Sequence, residues 1–255
     1  MTAETPSRRT VKAAETVFEI IEFLDADSLS GVTDIASALD LAPSTVHKHL
    51  TTLVAQEYVV KEDRQYRLGF RFYEQGQKVR RASPLAQIAE DPIEELANTT
   101  GEVVWVFVEE HGYAIHLLKA VGDHGVQTHG ELGKRSQLHH LASGKAILAH
   151  LPQERVDEIL DGDTLPAKTE NTVTDVDELT EELATVRERG YAFNTEETVL
   201  GLQTVGAPIL KDRRDVVGAV SVCGPATRMQ GARLESEIPE ALLRTTNQIE
   251  LQLSY

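Results

Sequence analysis

The sequence predicts an α+β chain with an N-terminal winged helix-turn-helix, a linker helix, and a C-terminal antiparallel sheet flanked by helices. Three observations carry this reading. Two short amphipathic segments are joined by the tripeptide Asp40-Leu41-Ala42, the connection of a helix-turn-helix. Two β-rich runs follow at once around a polar turn. From Val103 onward, apolar runs, polar turns and helical patterns interleave, which suits hairpins covered by helices.

At 255 residues, and with roughly 100–200 residues per domain, the chain is expected to hold two domains. Its hydrophobic content of 41% supplies a core and excludes wholesale disorder. No run approaches the ~18 apolar residues of a membrane-spanning helix. Met1–Thr10 is polar and basic with no apolar stretch behind it, unlike a secretory signal. The expected location is therefore cytoplasmic. The single cysteine, Cys223, excludes an internal disulfide and a Cys-rich zinc site.

Charge is unevenly placed. Asp and Glu number 41 against 25 Lys and Arg, a net of −16, and lysine supplies only nine of the basic residues. A lysine-poor acidic surface stays hydrated in concentrated salt, so the composition reads as that of a halophilic protein. Residues 1–81 carry 11 basic and 12 acidic side chains, whereas residues 82–255 carry 14 and 29. Two segments so different in charge suggest two domains with different partners.

Thr10 is placed to cap a first helix from Val11 to Leu24, with Val17, Ile20, Ile21 and Leu24 as its apolar side. Thr33 is the expected cap of a second, bearing Ile35, Ala36 and Leu39. Pro43 suits the first position of a third helix, since the N–H it lacks would be unbonded there anyway; this helix runs to about Gln56. Val46, Leu50, Leu53 and Val54 share one side of it. Ser44, Lys48, Thr51 and Thr52 share the other, with Thr45 and His47 at its edges. Short hydroxyls and one lysine near a positive helix N-terminus suit base edges and phosphates. Tyr58-Val59-Val60 and Gln65-Tyr66-Arg67-Leu68 read as strands around a turn at Lys61–Arg64, ended by Gly69. A hairpin behind a helix-turn-helix makes a wing. Ser44, Thr45, His47 and Lys48 are thus the expected groove residues, and Lys61, Arg64 and Arg67 the expected phosphate contacts, on a double-stranded DNA operator.

Here a family resemblance appears. Val11-Lys12-Ala13-Ala14-Glu15, the segment Leu41 to Leu50, and Tyr66-Arg67-Leu68-Gly69 resemble the winged-helix domain of IclR-type transcriptional regulators. The likeness continues over most of the chain. It implies a homodimer or tetramer that binds DNA under the control of a small effector. The dimer contact would lie in the N-terminal domain and the helix after the wing.

Phe70–Arg81 reads as the linker helix despite Gly76, and Ser83-Pro84 as the cap and first turn of the next helix. The expected domains are residues 1–69 for DNA, 70–82 as linker, and 83–255 for effector binding and oligomerisation. In the last of these, helix signals run from Leu85 to Asn98 with a break at Pro92. Strands follow at Val103–Glu109 and Ala114–Ala120 around the turn His111-Gly112. Ala142–His150 and Gln153–Leu160 read as helices. Thr174 should cap an acidic helix ended by Gly190 near Arg189, a suitable left-handed position. Tyr191–Asn194, Gln203–Leu210 and Val216–Cys223 read as strands, and Arg233–Leu253 as a final helix.

Three segments carry the resemblance here: Leu138 to Ala146, Gly190 to Glu197 with Gly201 to Pro208, and Gly218 to Pro225. It implies a GAF-like effector domain whose members take a sugar, sugar acid or aromatic catabolite. Ala142, Ser143 and Gly144 open a helix whose free N–H groups suit a carboxylate. Asn194, Thr204 and Ser221 offer neutral hydrogen bonds. Ser221 and Cys223, two apart on a strand, face one side. Asn194 stands where several relatives carry an acid, and Thr204 where some carry a cysteine.

Other classes fare less well. The histidine pairs His111/His116, His124/His129 and His139/His140 lack the helical spacing and nearby carboxylate of a zinc site, so no metal or other cofactor is expected. Cys223 has no recognisable Cys-His motif and reads as a small buried thiol. With no Gly-rich phosphate loop either, no enzyme is expected. The alternative kept is a small-molecule sensor acting through protein partners, with the winged helix as a docking domain.

Overall fold

A computed structural model describes residues 10–26, 29–126, 130–161, 165–212 and 214–254. The segment before Thr10 and His129, on which parts of the sequence reading rest, lie outside these residues. The chain divides into two compact units, Met1–Val79 and Arg80–Tyr255. No helix among the described residues is long and apolar enough to cross a membrane.

The first unit runs α1 (Lys12–Ala26), β1 (Ser30–Gly31), α2 (Val32–Ala38), α3 (Pro43–Ala55), β2 (Val59–Glu62) and β3 (Gln65–Leu68), and α4 (Arg71–Ala82) follows. Its core is Ile20, Leu24, Ile35, Val46, Leu50, Leu53, Val59 and Tyr66. The helix-turn-helix stands where the apolar spacing puts it. Two caps differ. The Thr10 hydroxyl bonds the Glu15 carboxylate instead of capping α1. Thr33 lies inside α2, which Gly31 caps, and the Asp34 carboxylate accepts the Gly31 N–H at 3.0 Å. The wing is also tighter than expected. Glu62 pairs with Gln65, so Lys61 is a strand residue opposite Tyr66, and the turn is Asp63-Arg64 with Asp63 left-handed. Strand β1 adds a third member, in the order β1-β3-β2. Two residues are too few to leave a periodic signal.

The second unit holds α5 (Pro84–Thr100), β4 (Val103–Glu110), β5 (Tyr113–Val121), β6 (Arg135–Gln137), α6 (Ala142–Leu148), α7 (Gln153–Ile159), α8 (Val176–Arg189), β7 (Ala192–Thr195), β8 (Leu202–Lys211), β9 (Asp215–Pro225) and α9 (Ile238–Leu253), the last entered through a π turn at Arg233–Glu237. The sheet order is β6-β5-β4-β9-β8-β7, antiparallel throughout. Residues of α5 and α9 cover one face, over Val104, Val106, Leu118 and Ile209. Residues of α6, α7 and α8 cover the other, over Val103, Trp105, Phe107 and Ala219. The unbroken apolar run of β4 has this cause: the strand is buried on both faces.

Two expectations are corrected. Pro92 does not break α5, which runs through it. The lost hydrogen bond, about 3 kcal/mol in an ordinary helix, is outweighed by the burial of Ala89, Ile93, Leu96 and Ala97 on the sheet. The long acidic helix α8 is capped by Asp175, whose carboxylate accepts Glu178 N–H at 2.9 Å, not by Thr174. Gly190 ends it at φ 85°, as expected.

Candidate nucleic-acid interface and ligand pocket

Pro43 occupies the first turn of α3 behind Ala42. Val46 and Leu50 have no exposed surface, so the helix is seated by its aliphatic side. Ser44, His47, Lys48, Thr51 and Thr52 are exposed and Thr45 half-buried. The Thr51 and Thr52 hydroxyls donate to the carbonyls of His47 and Lys48, at 2.7 and 3.1 Å. Their protons are spent within the helix, and outward they can only accept. Among the described residues, Ser44, Thr45, His47 and Lys48 have no side-chain partner.

On the wing, Lys61 and Arg64 are exposed, and the Lys61 ammonium lies 5.7 Å from the Tyr66 ring centroid. Arg67 is differently employed. Its Nε donates to Glu62 Oε1 at 2.7 Å and its Nη1 to the Leu68 carbonyl at 3.1 Å. It therefore braces the hairpin, and the cations left free on the wing are Lys61 and Arg64. Arg71 fastens the start of α4 to the end of α3, donating to the Gln56 carbonyl at 2.8 Å and to Glu57 at 3.1 Å, over the Tyr58 ring.

A cavity of about 380 Å³ opens on the α6 face of the second unit. Its floor is set by strand register. Asn194, Thr204 and Cys223 form one row across β7, β8 and β9, and Gly206, Ser221 and Trp105 the next across β8, β9 and β4. Leu141, Ala142 and Ser143 bring the first turn of α6 over it. That approach needs Gly206, where a Cβ would stand 2.5 Å from the Ala142 carbonyl carbon and Ser143 N. Thus Ala142, Ser143, Asn194, Thr204, Ser221 and Cys223 line the cavity. Gly144 does not: its Cα faces Leu138, whose carbonyl oxygen a Cβ would meet at 2.0 Å.

Asn194 has a role beyond lining. Its amide donates to the His140 carbonyl and to Thr198 Oγ1 at 2.8 Å, and its oxygen accepts the Glu197 N–H at 3.0 Å. The amide protons are fully used in folding the segment after β7, whose Thr198, Val199 and Leu200 form one cavity wall. The polar groups left for a ligand at this end are Ser143, Thr204 and Ser221. Burial raises the Cys223 thiol pKa above its ordinary value, so it enters the cavity as a neutral thiol.

Behind the wall, Lys145 is 1% exposed and lies 2.7 Å from both Glu182 of α8 and Glu197. Burial raises the Glu197 pKa, against the pull of Lys145. Sequence reasoning passed over this ammonium, because nothing in spacing shows that two carboxylates from other elements will meet it. With His116, which enters the sequence reading only as half of a metal pair, Lys134 and Ser136 line the opposite end of the cavity; sequence reasoning passed over these two, in a stretch that carries no periodic signal. Trp105 and Phe107 could have been found from the run around Val103, since alternate positions share a face. Among the described residues no three His, Cys, Asp or Glu side chains are grouped to hold a metal ion.

Comparisons with known proteins agree with this architecture. The family profile for the IclR helix-turn-helix domain matches residues 13–63. The profile for "Bacterial transcriptional regulator IclR C-terminal" matches residues 77–251. The "Probable HTH-type transcriptional regulator ArcR" of Halobacterium salinarum is 34% identical over 245 residues, covering 93% of each chain. The crystal structure of the Thermotoga maritima IclR superposes with a TM-score of 0.77 at 30% identity, covering 96% of this chain and 99% of that one. An IclR homolog from Microbacterium hydrocarbonoxydans, solved with 4-hydroxybenzoate, gives 0.80 at 25% identity, covering 94% and 98%.

Proposed function

The chain belongs to the IclR family of transcriptional regulators, with a DNA-binding helix-turn-helix domain and an effector-binding domain, and from that premise we propose that α3 and the wing read an operator under the control of a small organic acid or sugar-derived effector held in the C-terminal cavity. The observation that carries this is the free polar side of α3. A helix fixed by Val46 and Leu50 presents Ser44, Thr45, His47 and Lys48 with no internal partner. Lys61 and Arg64 flank it as phosphate contacts, and Arg67 holds the wing in shape. Residues 1–69 form the DNA-binding part, 70–82 the linker, and 83–255 the effector and oligomerisation part.

A homodimer or tetramer is the working form. Phe70, Tyr73 and Val79 of the α4 segment are 85%, 67% and 71% exposed, which suits burial against a second copy. Effector binding shifts the population between dimer geometries whose half-site spacings match or miss the operator, by its differential affinity for the two. The likeness to a Halobacterium regulator and the acidic, lysine-poor composition support work in concentrated salt. Counterion release then contributes little, and base contacts carry more of the binding.

The test is duplex binding by the intact chain, using a site enriched from random sequence. Replacing both Lys48 and Arg64 by alanine is expected to weaken binding roughly tenfold or more and to lower the log–log salt slope by about one, for the phosphate that Arg64 holds. An intact chain indifferent to every duplex would favour instead a sensor that docks on protein partners. A double variant with unchanged affinity and slope would remove α3 and the wing from the interface.

A further inference from the structure

The end of α3 and the start of α4 meet at one corner of the first unit. After α3 the chain turns through Gln56, Glu57 and Tyr58. The Glu57 N–H donates to the Val54 carbonyl at 2.9 Å and the Tyr58 N–H to the Leu53 carbonyl at 3.0 Å. This hydrogen-bond pattern commonly closes a helix on a left-handed glycine. Here the left-handed residue is Glu57, at φ 64°, where its Cβ is strained and a glycine would not be.

The entrance to α4 lies directly on this corner. The Gly69 N–H donates to the Tyr58 carbonyl at 2.7 Å. A Cβ at position 69 would stand 2.9 Å from the Glu57 carbonyl oxygen, so glycine lets the two backbone turns touch. Arg71, in the first turn of α4, then reaches back. Its Nη1 donates to the Gln56 carbonyl at 2.8 Å and to Glu57 Oε2 at 3.1 Å, and its guanidinium carbon lies 5.0 Å from the Tyr58 ring centroid. Phe72 meets the same ring edge-on, with centroids 4.9 Å apart. No residue of α4 is buried, so within the first unit its direction rests on this first turn.

Stability alone does not explain the pair. Glu57 holds a backbone conformation that favours glycine, and its side chain is 80% exposed, where an ion pair contributes little. Arg71 Nε is buried with no hydrogen-bond partner, which is costly. What the two side chains secure is geometry. One cation joins the end carbonyl of α3, the strained residue after it and the first turn of α4. Local rules broken together at one place mark a positional demand.

Resting on the reading of α3 as the DNA helix and α4 as a helix that pairs two copies, we propose that Arg71 and Glu57 are positioning residues. They lock the angle between α3 and α4, and so set which half-site spacing the oligomer accepts. The joint acts through α3 and makes no contact with DNA itself.

The experiment uses the full chain and an operator enriched from random sequence, compared with derivatives in which base pairs are added or removed between the half-sites. One added base pair turns a half-site by about 35° and shifts it by about 3.4 Å. The parent is expected to lose roughly tenfold or more in affinity at each altered spacing. Arg71→Met should bind the altered spacings within about threefold of the selected one. Glu57→Gly relieves the left-handed backbone. It should therefore unfold at the same temperature as the parent or higher, and still discriminate between spacings roughly threefold less. A role in stability alone predicts the reverse, discrimination kept or improved in Glu57→Gly. Parent-like discrimination in either variant would overturn the role of that residue and leave the DNA reading standing, and a parent that accepts every spacing equally would overturn the joint as a whole. A parent that binds no duplex would overturn both the joint and the reading it rests on.

Discussion

Replacing Lys145 with methionine is expected to cost the second unit about 3–5 kcal/mol, because it strips a buried carboxylate of its counter-ion. The ammonium is 1% exposed and sits 2.7 Å from Glu197 and from Glu182. Glu182 keeps some contact with water, but Glu197 is 5% exposed and its Oε2 already lacks a partner. Removing the lysine leaves a carboxylate that cannot be solvated where it stands. Its folded-state pKa, already raised by burial, then rises further above the unfolded value. A carboxyl with a raised folded pKa holds its proton better in the native state, so the variant's deficit should shrink as the pH falls from 7 toward 5. Adding Glu197→Gln should recover part of the loss. Urea denaturation of parent and variants at both pH values measures this. A cost below about 1 kcal/mol would place the pair with solvent-screened ion pairs, against its burial.

Acid is expected to weaken the same unit progressively from about pH 6.5 downward, in large part through His116 and His140. Burial comes first among the causes that lower each ring pKa to about 4; Lys134 and Lys119 add to it at His116, and His139 and Lys168 at His140. Burial also lowers His139 and His150. In the unfolded chain these rings titrate near 6.5. The unfolded state therefore binds more protons between those values. The stability contribution is fully present above pH ~6.5 and is lost as the pH falls toward ~4, on the order of 3 kcal/mol for each of the two strongly shifted rings. Tryptophan fluorescence across an acid titration, with Trp105 packed on His116, follows the loss directly. Replacing His116 and His140 together by glutamine should move the midpoint to lower pH. A midpoint unmoved by that change would show that other groups drive acid unfolding.

The parts legible in the sequence are those in which one short-range rule decides the outcome. The aliphatic side of α3 recurs at helical spacing, and Pro43 has one comfortable place in a helix, so which side of α3 is buried and which exposed could be drawn before any coordinates. Gly190 and the hairpin of Val59–Glu62 with Gln65–Leu68 were equally plain. What stayed hidden depends on meetings between distant segments. Gly144 looks like part of a ligand loop until Leu138 is seen pressed against it. Asn194 looks like a ligand donor until its amide is found tying down Thr198 and the His140 carbonyl. Arg67 looks free until Glu62 closes on it across the wing. His116 is the clearest case: alternation along β5 hides a bulge at Leu117, and the three-residue β6 that brings Ser136 alongside is too short to show a pattern.

The hydroxyl-bearing side of α3 is proposed to lie in a DNA groove. Ser44→Cys supplies an exposed thiol on that side, while Cys223 is 9% exposed and burial raises its pKa, so an iron chelate can be attached selectively at position 44. On an operator enriched by the intact chain, the tethered iron is expected to cut within a few base pairs of each half-site and nowhere else. An operator that stays bound yet uncut, or is cut evenly along its length, would contradict the claim.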